Sequence, residues 1–370
     1  MHILIAPDSF KESLSAPKVA QSLQKGFSKS LPQATFDLLP LGDGGEGTLE
    51  ALAQGLHLKK AAVKVSGPFG DLVEAEYAFK DDLAVFEIAA ITGLEQIPKD
   101  KRNPLTISNR GIGELIVFLA QKGMKRLMIG VGGSSTNDGG IGMAEGLGYA
   151  FFDASGNKVE AVGDNLGKIV GLSDQAVPSC LKNLEVTIIT DVTHYLCGPQ
   201  GAAYTFAGQK GLAKSAFEAA DKAMQSFYKL VNPGIFNLQG AGAGGGLAAG
   251  LVTFAAGKIV SGIDAVLDNL DFERHVQKAD LVIVGEGRMD KQSLSGKAPV
   301  GVARRTPANI PVIAVCGSLA EDLPDFPLDN IQAVFPIISE AASLEHTLAR
   351  AADNLERTAA NIGSLLQINL

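Results

Sequence analysis

The strongest constraint on this chain is a series of short apolar runs, several of them unbroken, bounded by glycine and aspartate. They are Ile3–Ala6, Thr35–Leu39, Ala84–Ile88, Leu127–Val131, Val186–Thr190, Leu281–Val284, Val312–Val315 and Ala333–Ile337. A strand that is apolar at consecutive positions has no face to give to water, so it belongs in a parallel sheet covered by helices. Helix-period segments lie between the runs. After Ser15, the residues Ala16, Ala20, Leu23 and Phe27 fall on one stripe, with Ser15 placed as N-cap and Pro17 in the first turn. Gly113–Gln121 and Lys214–Leu230 read the same way. Alternating strands and helices define an α/β protein. At about 150 residues per domain, 370 residues predict two or three domains.

Charge and cysteine content narrow the function classes. The net charge of −8 argues against nucleic acid or an anionic membrane as partner. It leaves room for a small anionic substrate in a locally positive pocket. Cys180, Cys197 and Cys316 have neither metal-site nor disulfide spacing, which suits a reducing cytosol. The Met1–Ala6 start has no basic n-region, so no secretory leader is expected. From Leu230 to Gly257 no residue is charged, but the stretch is broken by glycines and Pro233 and does not read as a membrane span.

Glycine is abundant, 43 residues, and much of it is gathered in loops. The loops are Gly42–Thr48, Gly130–Gly140, Thr190–Thr193, Gly240–Gly250 and Gly285–Asp290, and three of them follow predicted strands. Glycine allows backbone N–H groups to approach a phosphate closely and permits positive φ. It also simply makes turns. Gly42/Gly44/Gly47 and Gly240/Gly242/Gly245 match the dinucleotide-binding spacing. The first carries Asp43 and Glu46, which would repel a pyrophosphate unless a cation stood between them, and the second follows no clear strand.

Carboxylates among backbone donors suit Mg²⁺ and phosphate, because Mg²⁺ is held by one or two carboxylates together with substrate phosphates. Phosphoryl transfer requires metal, backbone donors, cations and alignment. Asp43, Asp138, Asp191 and Asp290 are the candidate carboxylates, and Lys11, Arg288 and Lys297 the candidate cations. There is no Walker P-loop, since Gly296-Lys297 is followed by Ala298, and no protein-kinase or hydrolase signature. The five histidines are scattered, and only His194, near Asp191 in a glycine-flanked segment, stands out, with a hydrogen-bonded loop histidine as its plainer reading. Two other readings remain open at this level: an NAD-dependent oxidoreductase acting on a small hydroxy acid, and a non-catalytic sensor of small acids.

Four segments together, Ala6–Lys11 (APDSFK), Asp43–Thr48 (DGGEGT), Gly132–Gly140 and Gly285–Lys297 (GEGRMDKQSLSGK), resemble the bacterial glycerate kinase family, and in the same order along the whole chain. The resemblance implies ATP- and Mg²⁺-dependent phosphorylation of D-glycerate, leaning towards the 2-hydroxyl. It also implies two α/β domains: a discontinuous Rossmann-like domain (1–62 and 278–370) and an inserted flavodoxin-like domain (63–277), with the active-site cleft between them. Departures from the family pattern are Glu12 in place of a glycine, Ser135 in place of an alanine, His194-Tyr195 after Asp191-Val192-Thr193, and Ser108-Asn109-Arg110.

On that resemblance, Lys11 and Arg288 are assigned to the transferring phosphate or the substrate carboxylate. Asp191 and Asp290 are assigned to Mg²⁺ or to orienting the attacking hydroxyl, and Asp43 and Glu46 to the metal. Asp8, Ser9, Gly44 and Gly45 stand in binding loops. Gly132, Gly133, Ser134, Ser135, Thr136 and Asn137 cradle an anion through N–H groups and hydroxyls, and Lys297 reaches a nucleotide phosphate. Each has a plainer reading: Lys11 as a solvated loop lysine, Asp290 as a helix cap, Arg288 as the partner of Glu286. Nucleic acid and membrane are not expected as partners, and a homo-oligomer is left open.

Overall fold

The apolar runs become strands of two sheets in the computed structural model, which describes residues 1–41, 52–53, 56–291, 293–295 and 297–368. These residues fall into two units. One is discontinuous (1–41, 52–53, 56–57 and 262–368) and the other continuous (58–261).

The discontinuous unit holds a five-stranded sheet in the order Ile331–Pro336, Val312–Cys316, Leu281–Gly285, His2–Pro7, Thr35–Leu38. Every pairing is parallel, with Ile3 opposite Leu281 and Pro7 opposite Gly285. Counted along the unit's own chain, the order is 2-1-3-4-5, the flavodoxin variant of a doubly wound sheet. Both faces are covered, as the unbroken apolar runs require. Ile3, Ile5 and Ile283 pack with Val19, Leu23 and Phe27 of the helix Ala16–Ser30 and with Leu355 and Ile362 of the helix Ala351–Leu365. Leu4, Val282 and Val284 point to the opposite face and are equally buried. Ser15 is the N-cap residue of the first helix, but its side chain makes no capping hydrogen bond, and Pro17 lies in the first turn.

The continuous unit holds a six-stranded mixed sheet, ordered Lys258–Val260, Glu185–Ile189, Arg126–Gly130, Leu83–Glu87, Leu72–Lys80, Lys59–Ser66. The first four are parallel and the last two antiparallel. Helices Arg110–Gln121, Ile141–Leu147, Phe217–Val231 and Leu247–Phe254 contribute to its core, which includes Phe86, Ile129, Ile188, Phe227 and Leu251. The α/β class with parallel sheets is as expected. The flavodoxin strand order, however, belongs to the discontinuous unit, and the strands of the inserted unit run in consecutive order. Among the described residues no helix is long and apolar enough to cross a membrane.

Candidate active site

In open parallel sheets ligands sit beyond the carboxyl ends of the strands, at the point where the strand order reverses. In the discontinuous unit that point lies between His2–Pro7 and Leu281–Gly285. The residues leaving these two strands are Asp8 and Glu286, both buried, at 9% and 6% exposure. Asp8 N–H donates to the Gly285 carbonyl at 2.8 Å, and Ser9 N–H to Asp8 Oδ1 at 2.6 Å. Burial and the charge of Glu286 push the Cys316 thiol up.

Glycines let the loops close on one another. A Cβ on Gly285 would overlap the Val315 carbonyl, and one on Gly317 would overlap the Gly287 carbonyl. The loops continue as a two-residue parallel pair, Arg288–Met289 beside Ser318–Leu319. Asp290 then closes a turn: Ser293 N–H donates to Asp290 Oδ1 at 3.1 Å, and Asp290 N–H to Ser293 Oγ at 3.1 Å. Lys297 is the N-cap residue of the helix Ala298–Arg305. On the other side, Phe10 N–H bonds the Leu14 carbonyl and Glu12 sits at φ 63°, a left-handed conformation that favours glycine.

The outcome is a cavity of about 570 Å³ lined by Asp8, Ser9, Lys11, Glu286, Arg288, Asp290 and Lys297. Lys11 and Arg288 are exposed, while Asp290 and Lys297 are half-buried. Six residues singled out from sequence thus line one cavity. Glu286 does too, although the sequence offered it only as a partner for Arg288. Three cationic side chains, Lys11, Arg288 and Lys297, and four carboxylates, Asp8, Glu12, Glu286 and Asp290, share the wall, which suits an anionic ligand whose charge changes during reaction. Asp43, Gly44, Gly45 and Glu46 lie outside the described residues.

The other motif residues lie in the inserted unit. Gly132, Gly133 and Ser134 line a second cavity of about 570 Å³, together with Val192, Phe206 and Lys210. Asp191 is exposed and lines neither cavity. Ser135 and Thr136 differ from expectation. Ser135 Oγ donates to the Thr92 carbonyl at 2.8 Å, and Thr136 Oγ1 lies 3.0 Å from Ser134 Oγ, so these hydroxyls hold the loop's own shape. Asp138 is not a metal candidate but a fully buried brace. It accepts from Asn109 Nδ2 (2.9 Å), Gly140 N–H (3.0 Å) and Gly142 N–H (3.1 Å). Burial raises its pKa to about 6 against the pull of these donors. Asn109, in one of the segments departing from the family pattern, also accepts from Met143 N–H at 2.5 Å.

The second glycine-rich match, Gly240–Gly250, packs on this loop. A Cβ on Gly245 would overlap the Thr136 carbonyl, and one on Gly250 would stand 2.8 Å from Gly140 Cα. Its spacing therefore reflects close backbone packing.

Sequence comparison agrees with the motifs. The model of the glycerate kinase family matches residues 3–367. A glycerate kinase from Neisseria meningitidis serogroup B is 51% identical over 368 residues, covering 100% of this chain and 99% of its own. A glycerate 2-kinase from Escherichia coli K12 is 38% identical over 377 residues, covering 100% of this chain and 99% of its own. A crystal structure from Salmonella typhimurium LT2, assigned as a glycerate kinase 2, superposes with a TM-score of 0.88 at 38% identity. It covers 99% of this chain and 98% of that one. The motifs, the α/β fold and this end-to-end similarity agree, and the chain belongs to the glycerate kinase family.

Proposed function

We propose that the protein transfers the γ-phosphoryl group of ATP, with Mg²⁺, to the 2-hydroxyl of D-glycerate, giving 2-phosphoglycerate and ADP. As a member of the glycerate kinase family the chain is a small-molecule kinase. The observation that carries the finer reading is the gathering of Lys11, Arg288, Lys297, Asp8 and Asp290 on one cavity at the switch point. The choice of the 2-hydroxyl leans on the relative named a glycerate 2-kinase.

Phosphoryl transfer asks the protein chiefly for position and charge. Arg288 can grip a carboxylate or phosphate through two parallel N–H bonds, where Lys11 acts as a point charge. Lys297 adds its charge at a helix start, where the backbone also favours anions. Mg²⁺ takes oxygen ligands, and the carboxylate of Asp290 on the cavity wall matches that donor class. Bound there, the metal would neutralise charge on the phosphates; Asp43 and Glu46 are the further proposed ligands. In the transfer the glycerate oxygen bonds to phosphorus, the bond to the ADP oxygen breaks, and the hydroxyl proton leaves to a carboxylate or to water. The three cysteines are free, which suits a reducing compartment such as the cytosol.

Ligand protection tests the cofactor choice, because a ligand that binds the folded state raises the unfolding temperature. ATP with Mg²⁺ should raise it and NAD should not. A shift with NAD alone would contradict this reading.

A further inference from the structure

Lys210, which belongs to none of the motifs, is the least expected charge in the molecule. Only 3% of it is exposed, and it lines the cavity of the inserted unit beside Gly132, Gly133 and Ser134. Buried lysines are rare unless paired, because removing an ammonium group from water is costly. Its Nζ donates to the Thr136 carbonyl at 2.7 Å. An ammonium group has three N–H donors, so one neutral carbonyl leaves capacity for an anion.

The loop beside it is prepared for the same partner. The N–H groups of Ser135, Thr136 and Asn137 are taken by the Thr92 carbonyl, Ser134 Oγ and the Pro104 carbonyl. Those of Gly132, Gly133 and Ser134 donate to no protein acceptor among the described residues. Gly133 has φ 67°, a turn of the kind that brings successive N–H groups to one side. The loop is held from behind by Ser134 Oγ on the Gly244 carbonyl and by the Asp138 brace. Asn137, at the end of the loop, is fully buried with a side-chain amide that has no hydrogen-bond partner among the described residues, but it does not line this cavity.

We propose that this cavity is a second anion site, which receives the phosphate or carboxylate group of a small ligand on the amides of Gly132, Gly133 and Ser134 and on the ammonium group of Lys210. Only the choice of ATP and D-glycerate as ligands rests on the function proposed above. Burial lowers the Lys210 pKa to about 7, opposed by the charge of Asp138. The other charged groups nearby are Glu87 and Glu95 on the cavity wall and Arg102, whose backbone meets Gly211. A bound anion favours the protonated lysine, so affinity should fall as pH rises through about 7.

The test uses the full chain with ¹³C,¹⁵N-labelled lysine, the Lys210 signal being assigned by its loss in Lys210→Met. Its titration is followed by NMR alone and with inorganic phosphate, D-glycerate or ATP–Mg²⁺. At least one anion should raise the midpoint by about one pH unit, a tenfold preference for the charged form. A shift with ATP–Mg²⁺ identifies the nucleotide as the source of the anion, and one with D-glycerate identifies the acceptor. Lys210→Met, if it melts like the parent, should bind that ligand about tenfold to a hundredfold more weakly, the scale of one charge-assisted hydrogen bond. An unmoved midpoint with all three anions, in protein that forms phosphoglycerate, overturns the site. If no phosphoglycerate forms, the function reading fails, and the response to inorganic phosphate still decides this proposal.

Discussion

Two residues apart on one loop, Arg288 and Asp290 line the same cavity but fill different structural roles. Arg288 is exposed and shapes no turn that would collapse without it, whereas Asp290 accepts the Ser293 N–H. Arg288→Ala should therefore lower turnover by about a hundredfold or more, the scale of one preorganised electrostatic contact, with little change in melting temperature. Parent-level turnover in the folded variant would remove Arg288 from the reacting site. Asp138 is the opposite case, a carboxylate wholly inside the fold. Its pKa is raised from 3.8 to about 6, so the folded protein holds the proton more tightly than the unfolded chain does. Its contribution to stability is then fully present below about pH 4 and is lost as pH rises through about 6. Denaturant titrations should show the stability of the parent relative to Asp138→Asn falling over that interval. A constant difference would show that burial does not control this carboxylate.

At the scale of elements, the helices Ala16–Ser30 and Ala351–Leu365 meet through small residues. A Cβ on Gly26 would overlap the Glu356 carbonyl and stand 2.6 Å from Ala359 Cβ. Gly26→Ala gains about 1 kcal/mol of helix propensity. It forces two backbones apart, an overpacking cost of about 1–3 kcal/mol. Net destabilisation is expected, read as a lower urea midpoint; an unchanged or higher midpoint would contradict this packing. The central runs, such as Leu281–Gly285 and Val312–Cys316, were legible as strands because burial on both faces leaves a continuous signature, whereas the edge strands Thr35–Leu38 and Ile331–Pro336 are only partly buried. Lys59–Ser66 and Leu72–Lys80 were not read, because at the antiparallel edge lysines and glutamates alternate with apolar residues and hide the run. The cavity at the switch point was largely legible, since its residues follow predicted strands within a few positions. Lys210 was not. It lies far from any predicted strand end, and only burial, a property of the folded chain, sets it apart. The hydroxyls of Ser135 and Thr136 were legible as residues, but their engagement inside the loop depends on Thr92 and Ser134 in three dimensions.

At the scale of the whole molecule, the chain builds one unit from segments at its two ends and another from the span between them. The span 58–261 carries its own extensive core, from Val65 to Phe254. A fragment of those residues should unfold cooperatively in urea, as an independently folding domain does. A fragment without a cooperative transition would show that this core does not suffice. The discontinuous unit carries the cavity on which the proposed chemistry rests. That chemistry is tested most directly by phosphorus NMR after incubating the full chain with ATP, Mg²⁺ and D-glycerate. The expected result is a 2-phosphoglycerate resonance that grows as ATP becomes ADP. Intact ATP, or ADP with inorganic phosphate alone, from folded protein that binds ATP would contradict it.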